Sequence, residues 1–198
     1  MSGTVIIDSG GANLASLQFA LERLGVAARV SADAGEIAAA ERVILPGVGS
    51  AADAMHRLRA AGLAELLPQL AQPVLGICLG MQLLFEHSAE GDTDCLGVLP
   101  GTVRRLDPSI TRPVPHMGWN RLHELADDTL LKGLGPEAYF YFVHGYVAPL
   151  GAFTLARTHY GEDFSAVVRH RNFCGVQFHP ERSAASGARV LANFLDVS

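Results

Sequence analysis

The order of apolar and polar residues divides the chain into two textures. In the first, short β-branched runs alternate with segments of helical period. Val5-Ile6-Ile7 reads as a buried strand stopped by Asp8 and Gly10-Gly11. Asn13 then stands in an N-cap position, and Leu14, Leu17, Leu21 and Leu24 recur at helical spacing until Gly25. The alternation continues with a strand over Ala27 to Val30, a short helix from Asp33 to Ala39, and a strand Arg42-Val43-Ile44-Leu45 closed by Pro46-Gly47-Val48-Gly49. A helix carrying Met55 and Leu58 starts at Ser50-Ala51, and a further helical piece, Leu63 to Leu70, leads to an apolar stretch from Pro73 to Phe85. Such alternation predicts a mostly parallel sheet with helices on both faces.

The Pro73–Phe85 stretch reads as two elements, a strand up to Cys78 and then an apolar segment of helical spacing bounded by Glu86. Beyond a loop at Gly91 to Asp94, turn residues crowd the chain: Gly97, Pro100, Gly101, Pro108, Pro113 and Pro115. Strand candidates fall at 102–106, 138–143, 154–160, 166–169 and 173–178, and a last helix runs over 187–195 with Val190, Leu191 and Leu195 on its apolar face. The predicted fold is α/β, a central mostly parallel, mixed sheet flanked by helices, with additional antiparallel β structure in the C-terminal half. No repeat, low-complexity linker or shift in composition interrupts residues 1–198, so a single domain is expected.

Composition narrows the classes. With 49% hydrophobic and 18% charged residues, the chain has the material for a sizeable core. A net charge of -5 and the absence of any Lys/Arg run argue against nucleic acid as a partner. Charges or turn residues interrupt every apolar stretch before it could span a bilayer, and Met1-Ser2-Gly3-Thr4 lacks the pattern of a secretory signal. Cys78, Cys95 and Cys174 are too widely spaced for a disulfide framework or a zinc site. A reducing cytoplasm is the expected compartment. His56, His87, His123, His159 and His170 show no metal-ligand spacing, so neither metal nor cofactor is expected.

The candidate chemistry starts at Gly76-Ile77-Cys78-Leu79-Gly80. This is the layout of a nucleophile elbow, where a sharp strand-to-helix turn presents a reactive side chain and flanking glycines avoid a Cβ clash. A thiol at a helix N-terminus gains thiolate character. On this stretch alone, Cys78 could equally be a small buried hydrophobe. A nucleophile needs a base and the base an orienter. His179-Pro180-Glu181 offers both, since residues two apart in extended backbone point to the same side. An N–H in Pro46-Gly47-Val48-Gly49, together with that of Leu79, could form an oxyanion hole. The rival for that glycine loop, phosphate binding, lacks both a Walker lysine and G-x-G-x-x-G.

With Gly76-Ile77-Cys78-Leu79-Gly80-Met81-Gln82 in the middle, Pro-Gly-Val-Gly upstream and Gln177-Phe178-His179-Pro180-Glu181 downstream, nearly the whole chain resembles the class I, triad-type glutamine amidotransferases. Pro115-His116-Met117-Gly118-Trp119-Asn120, Tyr139-Phe140-Tyr141-Phe142-Val143-His144-Gly145-Tyr146, and Ile6-Ile7-Asp8 with Asn13-Leu14 are similar to the glutaminase subunits of imidazole glycerol phosphate synthase. The resemblance implies a flavodoxin-like domain with Cys78, His179 and Glu181 as catalytic triad and the N–H groups of Val48 and Leu79 as oxyanion hole. It implies that Gly49, Gln82, His144, Gly145 and Tyr146 hold glutamine. Asn13, Met117, Trp119 and Arg182 would face the partner, a (β/α)8-barrel synthase subunit that receives the ammonia and makes imidazole glycerol phosphate and aminoimidazole carboxamide ribotide. The chain departs from that pattern at Ser9-Gly10-Gly11-Ala12, at Ala51, at Gly145 (usually serine or threonine) and at Arg182 (usually lysine). Two alternatives stay open: the glutaminase of another synthase, and a non-catalytic elbow-cysteine protein that binds a partner or senses redox state. The second would have lost His179 or Glu181, and both are present.

Overall fold

The computed structural model describes residues 3–9, 14–109 and 112–196. The stop at Gly10-Gly11 and the cap and interface role expected of Asn13 lie outside them. The apolar runs of the N-terminal half form β1 (Thr4–Ile7), β2 (Arg29–Ser31), β3 (Arg42–Gly47) and β4 (Val74–Cys78), joined through α1 (Leu14–Glu22), α2 (Ala34–Ala38), α3 (Ala51–Ala60) and α4 (Leu63–Leu66). Two helix starts follow from their caps: the Asp33 side chain accepts from Glu36 N–H and that of Ser50 from Asp53 N–H. β4 then runs directly into α5 (Leu79–Gln82).

The C-terminal half supplies β5 (Phe85–Ser88), β6 (Thr93–Asp94), β7 (Leu99–Arg105), β8 (His116–Arg121), β9 (Tyr139–His144), β10 (Tyr146–Val147), β11 (Thr154–His159), β12 (Asp163–His170), β13 (Phe173–Val176) and α6 (Ala184–Leu195). The main sheet has the order β11-β12-β13-β4-β3-β1-β2. It is parallel from β13 to β2, and β12 and β11 extend it antiparallel. A smaller sheet, β10-β7-β5-β6, and the antiparallel pair β8–β9 complete the β structure of the described residues.

Side-chain alternation explains why the parallel strands read as unbroken apolar runs: both faces are covered. Val5, Ile7, Val43 and Leu45 pack in a core layer with Met55 and Leu58 of α3. Ile6, Ile44, Leu75 and Ile77 pack in the opposite layer with Leu17 and Leu21 of α1 and Val190, Leu191 and Phe194 of α6.

Two predicted elements are corrected. The apolar segment after Cys78 does not stay helical to Phe85; α5 is a single turn, and Phe85 opens β5. Leu83, Leu84 and Phe85 are all fully buried, so their apolar character carries no period that could separate helix from strand. Their carbonyls accept instead from the N–H groups of Leu96, Gly97, Val98 and Leu99. Thr93-Asp94, read as loop, pairs with β5, and the Pro115–Asn120 motif, read only as a motif, is mostly strand β8.

Candidate active site

Cys78 closes β4 with φ 54° and ψ -112°, a conformation side chains rarely adopt. The strain is imposed by α5, which folds back across the strands β3, β4 and β13. A Cβ on Gly80 would lie 1.8 Å from the Leu45 carbonyl oxygen, and one on Gly76 2.7 Å from Met81 N. Gly175, opposite Gly76 in the register, would bring a Cβ within 2.6 Å of Met81 Cγ. These glycines are required by close approach, as the elbow reading expects. With only one turn in α5, however, its macrodipole is small, so the helix-terminus argument for a reactive thiol carries little weight here. Gln177 Nε2 donates to Cys78 Sγ at 3.7 Å, and the sulfur contacts the Val143 carbonyl at 3.8 Å.

The candidate base and its candidate orienter meet by a different route from the one read in the sequence. Pro180–Arg182 forms a 3-10 turn, so His179 and Glu181 do not share one side of a strand. His179 remains extended, and the turn swings the carboxylate back so that Nδ1 meets Glu181 Oε1 at 2.9 Å. The His179 side chain is buried and that of Glu181 nearly so. His179 N–H donates to the Tyr141 carbonyl at 2.9 Å, and Ser183 Oγ donates to the His179 carbonyl at 2.7 Å, fixing the segment against β9. Burial lowers the imidazole pKa, but hydrogen bonds to Cys78 and Glu181 outweigh it and raise the value above the ordinary range. Since Nδ1 serves Glu181, Nε2 is the nitrogen left to face the sulfur, the arrangement in which His179 can exchange a proton with Cys78.

That shift has a stability consequence. A folded-state value above the unfolded one, about 6.5, favours the folded state fully below that pH and loses the contribution as pH rises through the raised value. Glu181→Gln removes one of the raising contacts. In urea titrations the deficit of this variant relative to wild type is expected to be largest near pH ~6 and to shrink on the alkaline side. A deficit that grows with pH would contradict this assignment of the proton.

Around the cysteine lies a cleft of about 320 Å³ lined by Gly47, Val48, Gly49, Leu79, Gln82, His144, Gly145, Tyr146, His179, Glu181 and Arg182. The residues implicated by resemblance in the triad, oxyanion hole and glutamine pocket are thus brought to one place. Gly49 has φ 91°, a conformation that favours glycine. Gly145 has no positive φ, and a Cβ there would meet only Val114 Cγ1 at 3.4 Å. Gln82 is less open to ligand than expected, because its Nε2 donates to the Tyr146 carbonyl at 2.9 Å and to Gln177 Oε1 at 2.8 Å. Burial lowers the pKa of His144 to about 3, which keeps the ring neutral.

Two groups were missed, one lining the cleft and one beneath the sulfur. Glu90 reaches the cleft and accepts from Ala51 N–H at 2.8 Å, where α3 begins. In the sequence it belongs to a polar turn with Asp92, and nothing there separates it from a solvated carboxylate. Gln177 was visible as part of a motif, but its contact with the sulfur depends on pairing between β13 and β4.

Beside the cleft, β8 and β9 present an apolar strip. Met117 is 64% exposed and Trp119 51%. Trp119 meets Tyr141 edge-on at 6.0 Å, and the Arg182 guanidinium lies 5.4 Å over the Tyr141 ring. Met117 pairs with Val143, which lines the cleft, so strip and cleft share a strand.

Residues 5–197 match the class-I glutamine amidotransferase family, and the chain belongs to that family. Its relatives carry a narrower name. A protein of Xanthomonas campestris pv. campestris, described as imidazole glycerol phosphate synthase subunit HisH, is 60% identical over 198 residues, covering 100% of this chain and 99% of that one. The HisH subunit of Xylella fastidiosa strain Temecula1 is 55% identical over 197 residues, covering 100% and 98%. Solved structures share the fold at lower identity. A crystal structure of a glutamine amidotransferase gives a TM-score of 0.74 at 23% identity, covering 98% of this chain and 97% of that one. The glutaminase domain of Trypanosoma brucei CTPS gives 0.67 at 14%, covering 100% and 95%.

Proposed function

We propose that this chain is the glutaminase subunit of an imidazole glycerol phosphate synthase, a single amidotransferase domain that supplies ammonia to a (β/α)8-barrel synthase subunit. The observation that carries the chemistry is the convergence of Cys78, His179 and Glu181 in one cleft beside the Gly47–Gly49 loop. The Cys78 thiolate attacks the side-chain amide carbon of glutamine, and the oxygen's developing charge is met by N–H groups of Leu79 and Val48. His179, oriented by Glu181, protonates the amide nitrogen as the C–N bond breaks, leaving a thioester and free ammonia. His179 then takes a proton from water, whose oxygen attacks the thioester carbon, and glutamate departs as the thiol re-forms. A bound glutamine carries an ammonium group that needs an acceptor. Glu90, the lining carboxylate outside the triad, fits that need, and Gly49 and the His144–Tyr146 segment form the rest of the pocket.

The strip of Met117, Trp119 and Arg182 is assigned to the barrel partner. An exposed tryptophan within an aromatic row is the kind of anchor that dominates interfaces. Trp119→Ala is expected to weaken association at least about tenfold while leaving the unfolding free energy within ~0.5 kcal/mol of wild type. Calorimetry with the barrel protein checks the first and denaturation the second. The compartment proposed is the cytoplasm, where Cys78, Cys95 and Cys174, all free thiols, would stay reduced.

The deciding assay measures glutamate release by the chain alone, with the barrel protein, and with the barrel protein plus its ribonucleotide substrate. Release is expected to rise on adding both. If it does not, the partner has been misassigned, even if glutaminase activity itself is present.

A further inference from the structure

The chemical steps proposed for Cys78, His179 and Glu181 give no role to the imidazole rings of two buried histidines. His116 and His144 are 3% and 6% exposed, and His116 Nδ1 lies 3.1 Å from His144 Nε2. Which nitrogen carries each proton follows from the groups at the two ends of the chain they belong to. At one end, Arg121 N–H donates to Asn120 Oδ1 at 2.8 Å and Asn120 Nδ2 donates to the His159 carbonyl at 3.0 Å. The amide cannot be turned over, so Nδ2, 3.4 Å from His116 Nε2, can only donate to it. At the other end, His144 Nδ1 faces the Tyr146 carbonyl at 2.8 Å, and a carbonyl only accepts. His144 therefore donates from Nδ1 and accepts on Nε2, which requires His116 to donate from Nδ1. The two ends demand the same direction: Asn120 to His116 to His144 to Tyr146.

From this geometry we infer that His116 is a positioning residue for the glutamine pocket, acting through His144 to hold the Tyr146 carbonyl. That inference rests on the functional reading above. The Tyr146 carbonyl accepts from His144 on one side and from Gln82 on the other; Gln82 holds Gln177, and Gln177 donates to Cys78 Sγ. One carbonyl thus ties the pocket wall to the groups under the sulfur. A packing role alone would not call for histidine. The ring stacks between Phe142 at 5.1 Å and Tyr160 at 4.1 Å, contacts that phenylalanine would also make, whereas a buried imidazole needs partners for both nitrogens. Burial supports the neutral state of each ring, lowering His116 to about 4 and His144 to about 3.

The test has two arms. Nitrogen-15 imidazole spectra of the full chain at neutral pH should show both rings neutral with the proton on Nδ1, the reverse of the preference of free imidazole side chains. A proton on Nε2 of either ring, or a cationic ring, overturns the inference. In the second arm, glutamate release with the partner protein is measured for His116→Phe, which keeps the stack and removes the donor, and for His116→Asn, which restores a donor near Nδ1. His116→Phe should raise KM for glutamine about 5- to 10-fold with less effect on kcat, and His116→Asn should recover part of the loss. An unchanged KM in His116→Phe also overturns it. Should that variant fail to fold, the wild-type spectra decide. A wild type without glutaminase activity would instead remove the functional reading, with the spectra still reporting on the pair.

Discussion

Cys78→Ala is expected to lower glutamine hydrolysis at least ~10⁴-fold while leaving ammonium-driven synthesis by the barrel partner intact. The loss should be chemical rather than structural. Cys78 sits at φ 54° whether its side chain ends in sulfur or in hydrogen, so alanine inherits the same backbone strain. What disappears is Sγ, with its bond from Gln177, its contact to the Val143 carbonyl and its pairing with His179. A glycine separates the two contributions further. Cys78→Gly should be equally inactive but about 1 kcal/mol more stable than Cys78→Ala, because only glycine occupies that conformation without strain. Glutamate release, ammonium-dependent product formation and urea midpoints read the three quantities independently. If Cys78→Ala kept more than about 1% of wild-type hydrolysis, the thioester route would be wrong, because no other thiol is available: Cys174 belongs to the buried core and Cys95 is not in the cleft.

The sequence disclosed the elbow and the parallel strands for one reason: each follows from residues close together in the chain. Val5–Ile7, Arg42–Leu45 and Val74–Cys78 are β-branched or apolar runs bounded by turn residues, and glycines flank Cys78 at i-2 and i+2. What was not legible depended on partners far away. The strand at Phe85 is defined by donors at Leu96 to Leu99, which no local period announces. His116 looked like one more histidine in a motif until the β8–β9 register placed it opposite His144. Glu90 joins the cleft because of where β5 leads the chain, and its own turn gives no hint of it. His179 and Glu181 meet, but not as residues two apart on an extended strand: the tripeptide bends, and Pro180 at the first position of a 3-10 turn is what brings the carboxylate onto the ring.

Gly80→Ala poses the sharpest conflict between a local preference and a tertiary constraint. Gly80 lies inside α5, where alanine would ordinarily stabilise the helix by about 1 kcal/mol. The packing opposes it strongly. The new Cβ would stand 1.8 Å from Leu45 O and 2.8 Å from Leu45 C, both backbone atoms of the interior strand β3, so no side chain can rotate away. Relief requires α5 to lift from β3, which moves Leu79 N–H and Cys78 together. The steric term should win, costing about 3 kcal/mol or more, with glutaminase activity falling alongside stability. Gly145→Ala is the control, because its Cβ meets only a valine methyl at 3.4 Å and the backbone there is not left-handed. It should fold like wild type, within ~0.5 kcal/mol by urea denaturation. A Gly80→Ala protein as stable as that control would mean that α5 does not press against Leu45, and the origin of the strained backbone at Cys78 would have to be sought elsewhere.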